Sequence, residues 1–286
     1  MASVKISAVA GAAVLLSLNA AGAADLPLAP PPMPIPQEYS GWYLRGDIGF
    51  SNQQVKSIDN ANYHGASITG VNVNNKSFDA APFFGLGVGY QFNSWLRFDA
   101  TGEYRANANF HGSDIITNTS YGLPSWESNT FTASKSEWLV MANAYVDLGT
   151  WWCVTPFIGA GIGASYNRIS NFQDHSTSLQ YYGPSIGYAT GVGAAFGADT
   201  GKWNLAWALH AGLAYKVTPN FTVELAYRYL NLGDGLAGDL YTYTGGNSYY
   251  NPTEFKTITS QDLKLGLRWM LQPPEPVYQA PLIRKG

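Results

Sequence analysis

The stretch DLKLGLRWML, Asp262 to Leu271, alternates with a period of two. Leu263, Leu265, Leu267, Trp269 and Leu271 point to one side, and Asp262, Lys264, Gly266, Arg268 and Met270 to the other. This is the pattern of a β-strand with two chemically different faces. In a soluble sandwich the leucines would meet a core and the charges water. In a membrane barrel the leucines would meet lipid and the charges a polar lumen. One strand fits both architectures, so the others must separate them.

Working back from this strand, seven more alternate in the same way: Trp42–Phe50, Phe83–Phe92, Leu96–Phe110, Glu137–Leu148, Thr155–Tyr166, Asn204–Val217 and Phe221–Tyr229. The outer face of the set carries no charge. The inner face holds seven acids (Asp47, Asp99, Glu103, Glu137, Asp147, Glu224, Asp262) and seven bases (Arg45, Arg97, Arg105, Lys216, Arg228, Lys264, Arg268). Asn107 falls on the inner face of the third strand. A slip of one residue would turn a strand's charges into lipid, at roughly 2–4 kcal/mol for each Arg or Lys near the midplane. Aromatic residues near strand ends (Trp42, Phe92, Phe110, Trp138, Tyr166, Tyr229, Trp269) suit two interfacial girdles.

The connections alternate too. Residues 93–95, 149–154 and 218–220 make short links, whereas 51–79, 111–135, 168–203 and 231–258 are long and rich in Asn, Ser, Thr, Gly and Tyr. Ser185–Ala198 could pass for a ninth strand, but an odd number would put the last strand on the wrong side, so it is placed in the third long loop. The expectation is an all-β, eight-stranded antiparallel transmembrane barrel over residues 41–271. Its short turns would be periplasmic and its long loops extracellular.

The ends support export. Residues 1–23 carry one positive charge, Lys5, then an apolar run from Ile6 to Leu18 and the small triplet Ala21-Gly22-Ala23. That is the layout of a secretory signal peptide, and the run is short of the roughly 20 residues a spanning helix needs. Residues 24–40 form a Pro-rich arm, LPLAPPPMPIP at its centre, suited to extended polyproline-II geometry. Residues 272–286 form a second Pro-containing segment, a periplasmic tail. Without residues 1–23 the chain keeps 15 basic and all 19 acidic residues, a net charge of −4, which offers no basic footprint for nucleic acid. Cys153 is the single cysteine, so no internal disulfide can form.

The chain resembles the small eight-stranded outer-membrane barrels of alphaproteobacteria, related to OmpA-like and opacity-type barrels. The likeness is carried by Ala24-Asp25 with its Pro-rich arm, Gly41-Trp42-Tyr43, TPFIGAG at 155–161, ELAYRY at 224–229 and DLKLG at 262–266. The resemblance implies an outer-membrane location among lipids and lipopolysaccharide, and insertion by periplasmic chaperones and the barrel-assembly machinery. Lys264, Gly266, Trp269 and Leu271 match the assembly signal of such barrels, although here a tail follows where family members usually stop. It also implies an acceptor for peptidoglycan attachment at Ala24, with Asp25 as the recognition feature. The arm of about 17 residues at ~3.1 Å each would reach roughly 50 Å toward the wall.

For function, an eight-stranded interior is just wide enough for side chains to fill. The lumen charges Arg45, Asp47, Arg97, Asp99, Glu103, Arg105, Glu137, Glu224, Arg228, Asp262 and Arg268 therefore read as a paired structural network rather than a pore lining or an acid–base pair. No cofactor or metal is expected. Three alternatives stand beside a structural role in envelope integrity. One is surface binding, either adhesion through Tyr-rich loops or haem binding by His64, His111 and His175. The second is a narrow porin-like channel. The third is a lipid A deacylase-like enzyme using His111 and Ser113, a base and a hydroxyl two residues apart.

Overall fold

The computed structural model describes residues 40–247 and 249–271. The proposed signal peptide, the arm with Ala24 and Asp25, and the tail lie outside the described residues. Among those described are ten strands: β1 (Gly41–Asp59), β2 (Ile68–Phe78), β3 (Ala81–Gln91), β4 (Leu96–Ser120), β5 (Leu123–Asp147), β6 (Val154–Tyr181), β7 (Tyr188–Gly197), β8 (Thr200–Lys216), β9 (Phe221–Thr242) and β10 (Pro252–Met270). A single 3-10 turn, Ala61–His64, is capped by Asn60.

Eight strands close a ring of antiparallel pairs, in the order β1, β3, β4, β5, β6, β8, β9, β10 and back to β1. The other two continue ring strands. Along β4, β2 runs from Ile68 opposite Asn118 to Phe78 opposite Phe110, and β3 resumes with Phe83 opposite Arg105. Along β6, β7 ends with Gly197 opposite Phe172, and β8 resumes with Thr200 opposite Ile169. The architecture is thus eight long strands, two of them interrupted at 79–80 and 198–199.

The long connections are therefore mostly strand. The chain reverses at 60–67, at 121–122, at 182–187 and between β9 and β10, and the polar stretches flanking these turns extend the barrel wall. At Tyr121-Gly122 both residues have positive φ (50° and 78°), the geometry that suits a two-residue hairpin turn. Ser185–Ala198 is corrected in the same way: from Tyr188 onward it is the outward half of the strand that continues as β8. The objection that a ninth strand would make the count odd does not apply, because this segment adds no crossing: β7 and β8 pair in succession along the same strand β6. A membrane crossing takes about 9–11 residues, whereas β6 has 28. Much of its length, about 90 Å at ~3.3 Å per residue, stands clear of the bilayer.

Face chemistry follows the alternation. Leu44, Ile48, Leu86, Val140, Ile162, Leu209, Leu213, Leu225, Leu263 and Leu265 are exposed on the outside, while Arg45, Asp47, Arg97, Glu103, Arg228 and Asp262 are buried inside. Outward rings pair across neighbouring strands, as in Tyr104–Trp138 (4.9 Å) and Tyr166–Trp203 (5.0 Å). Glycines supply the room for large inner side chains. A Cβ at Gly89 would collide with the Tyr43 ring, and one at Gly159 with the Tyr145 ring.

Two facing assignments change. Between Arg105 and Ala108 the register of β4 against β5 shifts by one residue. This β-bulge inverts the alternation beyond it. Asn107 is consequently exposed rather than luminal, and Phe110 is fully buried inside the barrel rather than part of a girdle.

Candidate functional site

The interior is stratified along the barrel axis. Nearest the short turns, Glu224 gathers three arginines: Arg97 Nη1 at 3.1 Å, Arg45 Nη2 at 3.3 Å and Arg268 Nε at 3.5 Å. Arg45 also binds Asp47 (2.9 Å) and Asp99 (2.5 Å), Arg97 binds Asp147 (3.2 Å), and Lys264 lies 3.5 Å from Asp47. The Arg97 guanidinium is 4.3 Å from the centre of the Tyr145 ring and 4.6 Å from that of Phe157. Such contact suits a desolvated guanidinium.

One layer outward, Asp262 holds Arg105 (2.7 Å) and Arg228 (2.8 Å), and Arg228 grips both oxygens of Glu103 at 2.6 and 2.7 Å. Glu137 pairs with Arg105 and with Lys135. The amide of Gln53 donates to Glu137 (3.0 Å), and its oxygen accepts from Lys135 (2.9 Å). The residues of both charged layers come from β1, β4, β5, β9 and β10, so the ion pairs tie the sheet across its interior. Lys135 lies in a stretch whose composition suggests loop, yet it is 1% exposed. The only signal for it is its parity with Glu137, two residues on. Lys216, placed inside by alternation, is half-buried at the end of β8.

Beyond the charges lies an apolar layer that sequence reasoning misses. Phe78, Phe110, Phe131, Phe172 and Phe255 are buried with Ile58, Ile169, Leu230 and Ile258. Their rings meet at 4.9 Å (Phe110–Phe255), 5.1 Å (Phe78–Phe110) and 6.0 Å (Phe131–Phe172). Phe255→Ala is expected to lower unfolding stability by about 3 kcal/mol through the cavity it leaves. Urea titration of the refolded protein in detergent checks this.

Further out, the inward faces of β4, β5 and β6 present Asp114, Glu127 and Asp174. Asp114 accepts from the Tyr63 hydroxyl and from the Asn129 amide (2.8 Å). Burial, reinforced by Asp114 and Glu127, pushes the Asp174 carboxyl up to about 7. Burial raises Asp114 and Glu127 as well. Because folding favours the protonated form of Asp174, its ionisation weakens the folded state as pH climbs from the ordinary carboxylate range through 7. Asp174→Asn is therefore expected to raise the urea midpoint at pH 8 and leave it nearly unchanged at pH 4.

The other candidate residues are not gathered. His64 bonds Asp59 (2.7 Å), His111 lies 3.7 Å from Asp79, and His175 contacts Gln173 (3.4 Å). Among the described residues no group of three His, Cys, Asp or Glu is spaced to hold a metal ion. His111 and Ser113 share the outward face of β4, with no hydrogen bond joining them among the described contacts. In the last strand, Lys264 is buried, Trp269 and Leu271 are exposed, and the Leu271 amide donates to the Trp42 carbonyl (2.9 Å). A Cβ at Gly266 would lie 2.6 Å from Asp47 Oδ1.

A closed ring with an apolar belt and a charged interior is a membrane barrel, and comparison with known proteins places it. The model for the outer membrane protein beta-barrel domain matches residues 10–269. The chain belongs to that family. It is 36% identical over 239 residues to an uncharacterized protein of Brucella suis biovar 1, covering 78% of this chain and 80% of the relative. A putative adhesin of Rickettsia prowazekii is 26% identical over 196 residues, 67% of this chain and 72% of the relative. Among solved structures, Neisserial surface protein A is similar with a TM-score of 0.42 and 15% identity, over 82% of this chain and 100% of that one. The protein is an outer-membrane β-barrel, and its apolar belt faces membrane lipid.

Proposed function

We propose that this family member is a closed, non-enzymatic structural barrel that contributes to envelope integrity, anchored to peptidoglycan through Ala24 and Asp25. The observation that carries the reading is the filled interior: two layers of buried ion pairs capped by five phenylalanines. A protein that spends its lumen on cross-wall contacts is suited to mechanical continuity rather than passage. Lys264, Gly266, Trp269 and Leu271 act as the signal read by the assembly machinery, after delivery by periplasmic chaperones. In planar bilayers the purified protein is expected to give no stepwise conductance. Regular ohmic steps would replace this reading with the channel. Muramidase digestion of purified sacculi should release muropeptides joined to Ala24, and Asp25→Ala should abolish them. Sacculi free of the protein would remove the tether while leaving the closed barrel standing.

Surface binding is a second reading, supported by the ordered wall that β4, β5 and β6 raise beyond the membrane and by the putative adhesin among the relatives. Loss of attachment to host cells on shortening the turns 121–122 and 182–187, with envelope resistance unchanged, would favour it.

A further inference from the structure

The mouth on the short-turn side holds a positive charge that the described residues leave unbalanced. In the layer nearest those turns, Asp47, Asp99, Asp147 and Glu224 are matched by the three arginines and the lysine already placed there. Lys216, at the end of β8, adds a fifth cation to these four acids at the same mouth. The turns themselves, residues 92–95, 148–153 and 217–220, carry no charge. Among the described residues, this end of the lumen is therefore one cation in excess.

Arg268 is the least engaged of the arginines around Glu224. Its Nε lies 3.5 Å from Glu224 Oε1, which Arg97 approaches more closely at 3.1 Å. Its Nη1 donates to Gln91 Oε1 (3.2 Å), and the Gln91 amide is held in turn by the Asn93 carbonyl (2.7 Å). Its Nη2 meets no acceptor among the described residues, although Arg268 is only 9% exposed. Arg268 lines a cavity of about 190 Å³ with Lys216, Asp147, Ser94 and Thr222. That is several times the ~30 Å³ share of one water and below the ~300 Å³ at which drug-sized pockets begin. A guanidinium nitrogen in want of an acceptor, a second cation and hydroxyl donors suit a carboxylate, which forms charge-assisted bonds with such groups. Asp147 on the same wall disfavours an anion of double charge.

We propose that this inner mouth binds a small monocarboxylate, which accepts from Arg268 Nη2 and is drawn by the Lys216 ammonium, with the Ser94 and Thr222 hydroxyls at its rim. The carboxylate belongs either to a free short acid or to the end of a peptide, and the two are separated by the choice of probe. The site requires neither a closed lumen nor the tether, so either could fail without touching it.

Met270 lines the same cavity, whereas Met141 is buried deeper in the lumen, so the protein carries its own reporter and control. In the refolded full chain with isotope-labelled methionine methyls, in zwitterionic detergent at pH 7 and low salt, N-acetylalanine should shift the Met270 signal saturably and leave Met141 in place. N-acetylalaninamide, of the same shape without the charge, should not. A response to acetate weaker than to N-acetylalanine assigns the site to peptide ends, and a stronger one to free acids. Arg268→Gln should weaken binding about tenfold, as expected for a lost hydrogen bond to a charged group, and Lys216→Gln several-fold. Each variant is first checked for the folded band on unheated gels, and Lys216→Gln alone carries the comparison if Arg268→Gln does not fold. No saturable shift with either acid, an equal response to the amide, unchanged affinity in the variants, or tighter binding of inorganic phosphate would overturn the proposal.

Discussion

Arg105→Ala is expected to destabilise the folded barrel by about 3–5 kcal/mol, the cost of breaking a buried pair by removing one partner. Arg105 is fully buried and is held by Asp262, Glu137 and the Ser260 hydroxyl (2.8 Å). Its removal leaves two carboxylates partly uncompensated in a dry interior. Asp262 retains Arg228, and Glu137 retains Lys135, so the layer loosens rather than dissolves. Arg105→Ala with Asp262→Asn should cost less than the sum of the two single changes, because the second change removes the charge the first leaves unpaired. Urea unfolding in detergent micelles, followed by tryptophan emission, checks both expectations. Strict additivity would mean that the two side chains do not act as a unit.

Leu265→Arg carries the second large effect, about 2–4 kcal/mol of lost stability for an arginine near the bilayer midplane. Leu265 lies midway along the crossing, between Ile48 on β1 and Leu225 on β9, and it is 42% exposed in the bare protein. Judged by water exposure alone, an arginine there would be harmless. The expected penalty comes from lipid, so it should appear on refolding into vesicles. The same change at Gln54, outward-facing but in the wall beyond the membrane, should be nearly neutral.

The part of the molecule inside the membrane is the part its sequence displays. Lipid forces the outer face to be apolar, so β1, β3, β9 and β10 carry a two-residue period that fixes their register, and the lumen ionic groups follow from it. Beyond the membrane that constraint lapses. Both faces of β2 and β7 can be polar or small there, and Asn-, Ser- and Gly-rich stretches resemble loops although they pair over ten or more residues. Lys135, Phe131, Phe172 and Phe255 lie in such stretches, which is why the outward half of the interior is illegible. The bulge between Arg105 and Ala108 adds a separate obstacle. An extra residue inverts parity without leaving a compositional mark, so Phe110 reads as an interfacial aromatic when it belongs to the inner layer. Asp114, Glu127 and Asp174 combine both difficulties, since they come from the extensions of β4, β5 and β6, and Asp114 lies beyond the bulge that inverts parity.

The account turns on which face of the strands meets hydrocarbon. Single nitroxide labels at positions 263, 265 and 267, and at position 54 in the outer wall, all in a Cys153→Ser background reconstituted in lipid, read that directly. The three β10 labels should be highly accessible to oxygen and shielded from a water-soluble nickel reagent, with the opposite at position 54. Nickel access equal to oxygen access at 263, 265 and 267 would contradict a lipid-facing belt, and the closed membrane barrel with it.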